Sequence, residues 1–150
     1  MAQTLVSLLV HVVFSTKERR PLITSEVEDE LYRYVAGTLQ NFASPCLAVG
    51  GTENHVHLLI SQSKNIALSR LMEELKKSSS KWIKTKGTKL RRFGWQDGYG
   101  AFSIGESQVG IVKRYIARQK ERHRKQTFEQ ELMALLQKYQ IGYDERYLWR

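Results

Sequence analysis

Two histidines stand two residues apart at His55 and His57, and a tyrosine and a glutamine stand four apart at Tyr115 and Gln119. Side chains alternate sides along an extended strand, so over 54–61 (NHVHLLIS) Val56, Leu58 and Ile60 share one face and the histidines the other. The apolar set claims a core, which pushes both imidazoles onto the opposite face at a spacing that lets them reach one metal ion. Two imidazoles do not complete a metal site. A carboxylate is the first choice for a third ligand, yet acidic residues are sparse in the middle of the chain. Tyr115 and Gln119, one helical turn apart, share a face beside an inward stripe of Val109, Val112 and Ile116. From that spacing alone the favoured reading is the plainer one, with Tyr115 at the edge of a core and Gln119 in solvent.

The elements that must hold these residues follow from the hydrophobic pattern. Residues 4–14 (TLVSLLVHVVF) have almost no polar break and read as a strand covered on both faces, with His11 a structural strand residue or a DNA contact. Ser25 and Glu28 make a capping box for a helix from about Glu26 to Asn41. Residues 45–50 and 54–61 are short and apolar, joined by Gly50, Gly51, Thr52 and Glu53 as a hairpin. Asn65 can cap a second helix ending near Gly87, and a basic, glycine-bearing loop over 87–98 leads into a strand over Tyr99–Ile104. Ser107 can cap a third helix reaching about Arg122, and Thr127 with Gln130 caps a C-terminal one. The order βαββαβ followed by two helices predicts an α+β fold of the ferredoxin-like kind. It has an antiparallel sheet of four to five strands, helices on one face and the other face free for a ligand. Residues 1–150 read as one domain, ordinary in composition for a globular protein.

The net charge of +9 is concentrated. Residues 64–125 hold seventeen Lys/Arg against five Asp/Glu, while both flanking segments are slightly acidic. Charge of one sign gathered in this way favours a polyanion, because neutralising phosphates releases condensed counterions, and nucleic acid leads over membrane. Lys76, Lys77, Lys81 and Lys84 fall on the second helix, Arg91 and Arg92 on the loop after it, and Arg114, Arg118 and Arg122 along one side of the tyrosine helix. Together with Trp95 and Tyr99, which could stack on unpaired bases, they form the candidate DNA-binding set. The apolar start has no basic lead or cleavage site and is too short to span a bilayer. A single cysteine, Cys46, excludes an internal disulfide and a multi-cysteine zinc site, reads as packing rather than as a nucleophile, and fits the cytoplasm.

The run Asn54-His55-Val56-His57-Leu58-Leu59 with Tyr115-Ile116-Ala117-Arg118-Gln119 resembles the small one-tyrosine transposases of insertion sequences, members of the His-hydrophobic-His (HUH) endonuclease superfamily. His11 to Lys17, Trp95 to Ser103 and Tyr143 to Trp149 are similar to the same family in the same order, so the likeness covers nearly the whole chain. It departs from the commonest pattern at Thr52-Glu53, where many relatives have Met-Pro, which bears on the loop rather than on the ligands. The resemblance implies Tyr115 as nucleophile and His55, His57 and Gln119 as ligands of Mg2+ or Mn2+. It further implies cleavage and rejoining of single-stranded DNA with hairpin ends through a 5′-phosphotyrosine, and a homodimer. All three implied ligands are neutral and leave the ion its full charge, while Arg114 and Arg118 are expected to favour the tyrosine phenolate. A non-catalytic RNA- or single-stranded-DNA-binding module of this layout would carry aromatics on its central strands, where this chain has histidines. A two-histidine phosphoesterase would need a second His-x-Thr or His-x-Ser strand, which the chain lacks. A domesticated relative that binds hairpins at repeated genomic sites without moving itself is an alternative the sequence leaves open.

Overall fold

The computed structural model describes residues 2–149, as four strands and six α-helices joined by loops and short 3-10 turns. The strands are β1 (Leu9–Ser15), β2 (Cys46–Thr52), β3 (His55–Ser61) and β4 (Gly100–Ser103), and the helices α1 (Ser25–Asn41), α2 (Leu68–Ile83), α3 (Val109–Ala117), α4 (Gln119–Arg122), α5 (Phe128–Lys138) and α6 (Glu145–Leu148). The sheet order is β2-β3-β1-β4 with every pairing antiparallel, the ferredoxin-like arrangement. No helix among the described residues is long and apolar enough to cross a membrane.

Even-numbered residues of the two central strands, Val12, Phe14, Val56, Leu58 and Ile60, pack with Val27, Leu31, Val35 and Leu39 of α1 and Leu71, Met72, Leu75 and Ile83 of α2. This is the main core, and the strand periodicity alone puts it on the face away from His55 and His57. The face expected to be free carries α5, whose Phe128, Leu132 and Leu136 cover Val13 and Phe102. Both apolar layers are needed because the strands are apolar on both sides.

The first strand begins at Leu9, later than its composition suggests. Ser61 is the last β3 partner and pairs with Leu9, and Ser103 is the last β4 partner and pairs with Val10. Upstream, among the described residues, no strand lies opposite, and Leu5 is 83% exposed. Of the expected caps, Thr127 with Gln130 forms the full reciprocal box, whereas α1 is preceded by Thr24 and α2 by Ala67 without side-chain caps.

Candidate active site

β1 and β3 pair so that Val13 faces His57 and Ser15 faces His55, while β2 sets Gly50 opposite His57 and Thr52 opposite His55. These partners share the histidine face. Gly50 leaves space that α3 fills: a Cβ built there would lie 2.5 Å from the Ile116 carbonyl oxygen. The close approach of α3 backbone to the sheet brings Tyr115 and Gln119, on either side of Ile116, to the two imidazoles.

The expected single helix over 107–122 is broken at Arg118 (φ −103°, ψ 20°), which ends α3 and starts α4. The break leaves Arg118 exposed and turns Gln119 inward until it is 1% exposed. Its Oε1 lies 2.9 Å from His55 Nε2, and its Nε2 donates to Glu131 Oε2 at 2.8 Å. Tyr115 donates its hydroxyl to the same Oε2.

Glu131 is the residue that sequence reasoning missed. It is 2% exposed on α5, and its Oε1 lies 2.9 Å from His57 Nε2, 3.0 Å from His123 Nε2 and 3.4 Å from His55 Nε2. The signal was present: Glu131 sits within the apolar stripe of Phe128, Leu132 and Leu135, where an ionised carboxylate is costly unless partnered. All four histidines of the chain meet in this cluster, since His11 Nε2 lies 2.8 Å from His57 Nδ1. His123 and His11 are therefore part of the site, and His11 is buried beneath it.

The local hydrogen bonds fix one tautomer. The Thr52 hydroxyl donates to Asn54 Oδ1 at 3.1 Å, so toward His55 Nδ1 both of these oxygens act as acceptors, at 2.9 and 2.8 Å. Nδ1 therefore carries the proton, and the Nε2 lone pair points at Gln119 Oε1. Two lone pairs then face each other 2.9 Å apart, the disposition of two ligands turned toward one cation. The spacings of 2.9, 2.9 and 3.4 Å among His55 Nε2, His57 Nε2, Gln119 Oε1 and Glu131 Oε1 suit an ion. Neighbouring ligands of an octahedral ion at about 2.1 Å stand about 3 Å apart. The donor set fits a hard or borderline divalent ion, with Glu131 adding a negative charge to a set expected to be neutral.

Burial alone would push the Glu131 carboxyl up, but its contacts with His123, His55 and His57 outweigh it and hold the group well below the ordinary carboxylate range. Tyr115 moves the other way, pushed above the usual phenol range by burial and then by its bond to the Glu131 carboxylate. The cation over its ring is Arg122, with the guanidinium 4.5 Å from the centroid, in the place expected of Arg114 and Arg118. Burial also takes His11 down to about 3 and His57 down to about 4. Both stay neutral in the folded chain, while an unfolded histidine takes its proton near pH 6.5. The metal-free protein should be most stable above about pH 6.5 and lose stability as the pH falls toward 4, each histidine adding a slope of up to about 1.4 kcal/mol per pH unit. Urea midpoints that are equal at pH 7.5 and pH 5.0 would contradict this.

The model of the IS200-like transposase family matches residues 4–119. The chain belongs to that family. Among solved structures, a candidate transposase from Deinococcus radiodurans R1 is similar at TM-score 0.66 and 19% identity, over 79% of this chain and 95% of that one. A REP-associated tyrosine transposase bound to a REP hairpin is similar at TM-score 0.60 and 14% identity, over 82% of this chain and 73% of that one. At these identities the likeness to both is one of fold. No curated protein matches the chain.

In this transposase the expected DNA-binding residues divide into two groups. Arg114, Arg118 and Arg122 line an open depression of about 790 Å³ with Tyr115, joined there by Arg124 and Lys125. Lys77 and Lys81 are exposed on α2 and Lys84 just past its end, with the sheet between them and the histidines, and Arg91 and Arg92 sit between Leu90 and Phe93 of the same core. Lys76 is a structural brace. Its ammonium donates to the carbonyls of Gln96 and Gly98, both at 2.6 Å, and burial draws its pKa down to about 8 against the pull of Asp97. Trp95 cannot stack on a base: it is buried edge-on between Phe14 and Phe93, and its indole N–H donates to Ser79 Oγ at 3.0 Å. Tyr99 remains exposed. Burial pushes the Cys46 thiol up to about 11, which leaves no reactive thiolate.

Proposed function

We propose that this transposase cuts and rejoins single-stranded DNA through Tyr115, with Mg2+ or Mn2+ held by His55, His57, Gln119 and Glu131. The observation that carries the reading is that the tyrosine hydroxyl, the glutamine and both imidazoles of one chain meet on one carboxylate.

The bound ion would supply charge to polarise the scissile phosphate and to offset charge on the leaving 3′ oxygen. The chain's own groups do the rest. Thr52, Asn54 and His11 set the orientation of the two imidazoles from behind. Glu131 Oε2 accepts the hydrogen bond of the Tyr115 hydroxyl and so aims its oxygen. Arg122 lies over the phenol ring and favours the phenolate as it forms. Attack makes a bond between Tyr115 Oη, which gives up its proton to solvent, and phosphorus, and breaks the bond to O3′, which takes a proton from solvent, leaving a 5′-phosphotyrosine and a 3′-OH. The phosphotyrosine keeps the bond energy, so the 3′-OH of a second strand reverses the step without a nucleotide cofactor.

The depression beside Tyr115, rich in arginine, suits the phosphates of such a strand. The hairpin held by the REP-associated structure supports a hairpin-ended substrate here. The site groups of one chain meet, which suits cleavage within one subunit, and a homodimer would serve to bring two cut strands together.

Incubating the protein with Mn2+ and labelled single-stranded hairpin DNA should give a covalent adduct on a denaturing gel. Tyr115→Phe should remove it, at least about 10⁴-fold, while leaving hairpin binding intact. Adducts that survive Tyr115→Phe would reassign the nucleophile, and none from wild type across varied flanking sequences would overturn the enzymatic reading.

A further inference from the structure

Tyr115 stands between two openings. One is the depression that carries Arg114, Arg118 and Arg122. The other is a cavity of about 310 Å³ on the far side of α3, between β4, α3 and α5, with Tyr115 and His11 among its lining. Its walls include Ile104, Val112 and Leu135, its polar groups include Ser103, Gln108 and Tyr139, and its one lysine or arginine, among the described residues, is Lys138. Ile111, 53% exposed, belongs to the rim of both openings and forms an apolar ledge between them.

The two openings differ in chemistry. A strand attacked at Tyr115 carries a phosphate on every nucleotide, and those charges are drawn to the arginine side. The opposite cavity offers mostly neutral walls, and its volume lies at the small end of the range of roughly 300–1,000 Å³ typical of ligand sites. It suits one flat, uncharged heterocycle rather than a stretch of backbone. Unpaired DNA has bases free to leave the stack, and hydroxyl and amide groups can meet a base edge while apolar walls take its faces.

We infer that this cavity receives the unpaired base next to the phosphate attacked by Tyr115, so that Ser103 and Gln108 read its edge and set sequence preference at the cut. The inference rests on Tyr115 being the nucleophile on single-stranded DNA.

The test uses hairpin oligonucleotides with single-stranded flanks in two arms. In the first, wild-type protein with Mn2+ forms adducts on intact strands and on strands made abasic at one flanking position at a time. In the second, the Tyr115→Phe protein, which leaves the strand uncut, binds the same strands carrying 2-aminopurine at each flanking position. One position next to the cut should lose at least about ten-fold in adduct rate when abasic, the loss expected when one base contact is removed. The fluorescence of 2-aminopurine at that position alone should change on binding. Val112→Phe, which fills the cavity from α3, and Ser103→Trp, which covers it from the exposed end of β4, should each cut the intact strand about as slowly as wild type cuts the abasic one. Neither variant should then respond to the abasic substitution. If no flanking abasic position costs more than about two-fold, or if both variants still respond to the abasic position as wild type does, the cavity is not a base site. Absence of adducts on every intact strand would instead overturn the nucleophile assignment, while the 2-aminopurine arm still decides whether a base enters the cavity.

Discussion

Glu131→Gln should lower Mn2+ affinity by at least about 100-fold and reduce adduct formation with it. The substitution keeps shape and volume but removes the only negative charge, among the described residues, within reach of His55, His57 and Gln119, where Oε1 lies 2.9 Å from His57 Nε2. Even residues one shell away from a metal typically change affinity 10–100-fold, so the loss of a charged ligand should sit at or beyond the upper end. A neutral amide also places an N–H2 where lone pairs are needed, facing either the imidazoles or the Tyr115 hydroxyl. Calorimetric titration with Mn2+ reads the affinity directly, and thermal melting reads it again, because a bound ion should raise the melting temperature of wild type and leave Glu131→Gln unmoved. Equal Mn2+ affinity in the two proteins would reduce Glu131 to a buried partner of the histidines and return the site to three neutral ligands.

What the sequence makes legible is what depends on local period. Alternation in 54–61 separates the core residues from His55 and His57, and the structure keeps that division. The helical stripes of α1, α2 and α5 are the faces that pack. Features set by distant partners are harder to read. Whether Leu5 and Val6 continue the strand depends on how far β3 and β4 run, which β1 itself does not encode. Trp95 and Lys76 look like surface binding groups within a basic stretch, and only the approach of α2 to the 95–98 loop turns one into core and the other into a brace. Glu131 lies 74 residues from His57, so no spacing rule links them. Its position in an apolar stripe was the available clue, and it identified a charge in need of partners without naming them. The same holds for His11, whose partner is fixed by the register of β1 on β3 rather than by its neighbours.

Gly50→Ala should disable the site from outside it. Gly50 is the cross-strand partner of His57, and an added Cβ would lie 2.5 Å from the Ile116 carbonyl oxygen and 3.0 Å from Ile116 Cγ2. The first of these neighbours is helix backbone, which cannot swing aside as the end of a flexible side chain can. α3 must lift from the sheet, and Tyr115 and Gln119 must move with Ile116. Overpacking of this kind costs about 1–3 kcal/mol, so the protein should still fold but melt at a lower temperature. The larger effect should fall on cleavage, because a displacement of about 1 Å in a catalytic group can cost 10²-fold, whereas His55 and His57 remain anchored by Thr52, Asn54 and His11. Gly37→Ala provides the contrast. Gly37 lies within α1, on the far side of the sheet, where an added Cβ meets nothing within 4 Å. There the gain in helix propensity should stabilise by about 0.5–1 kcal/mol and leave adduct formation unchanged. If Gly50→Ala forms adducts at the wild-type rate, the contact between Gly50 and α3 does not set the position of Tyr115, and the nucleophile is held by its side-chain contacts with Glu131 and Arg122.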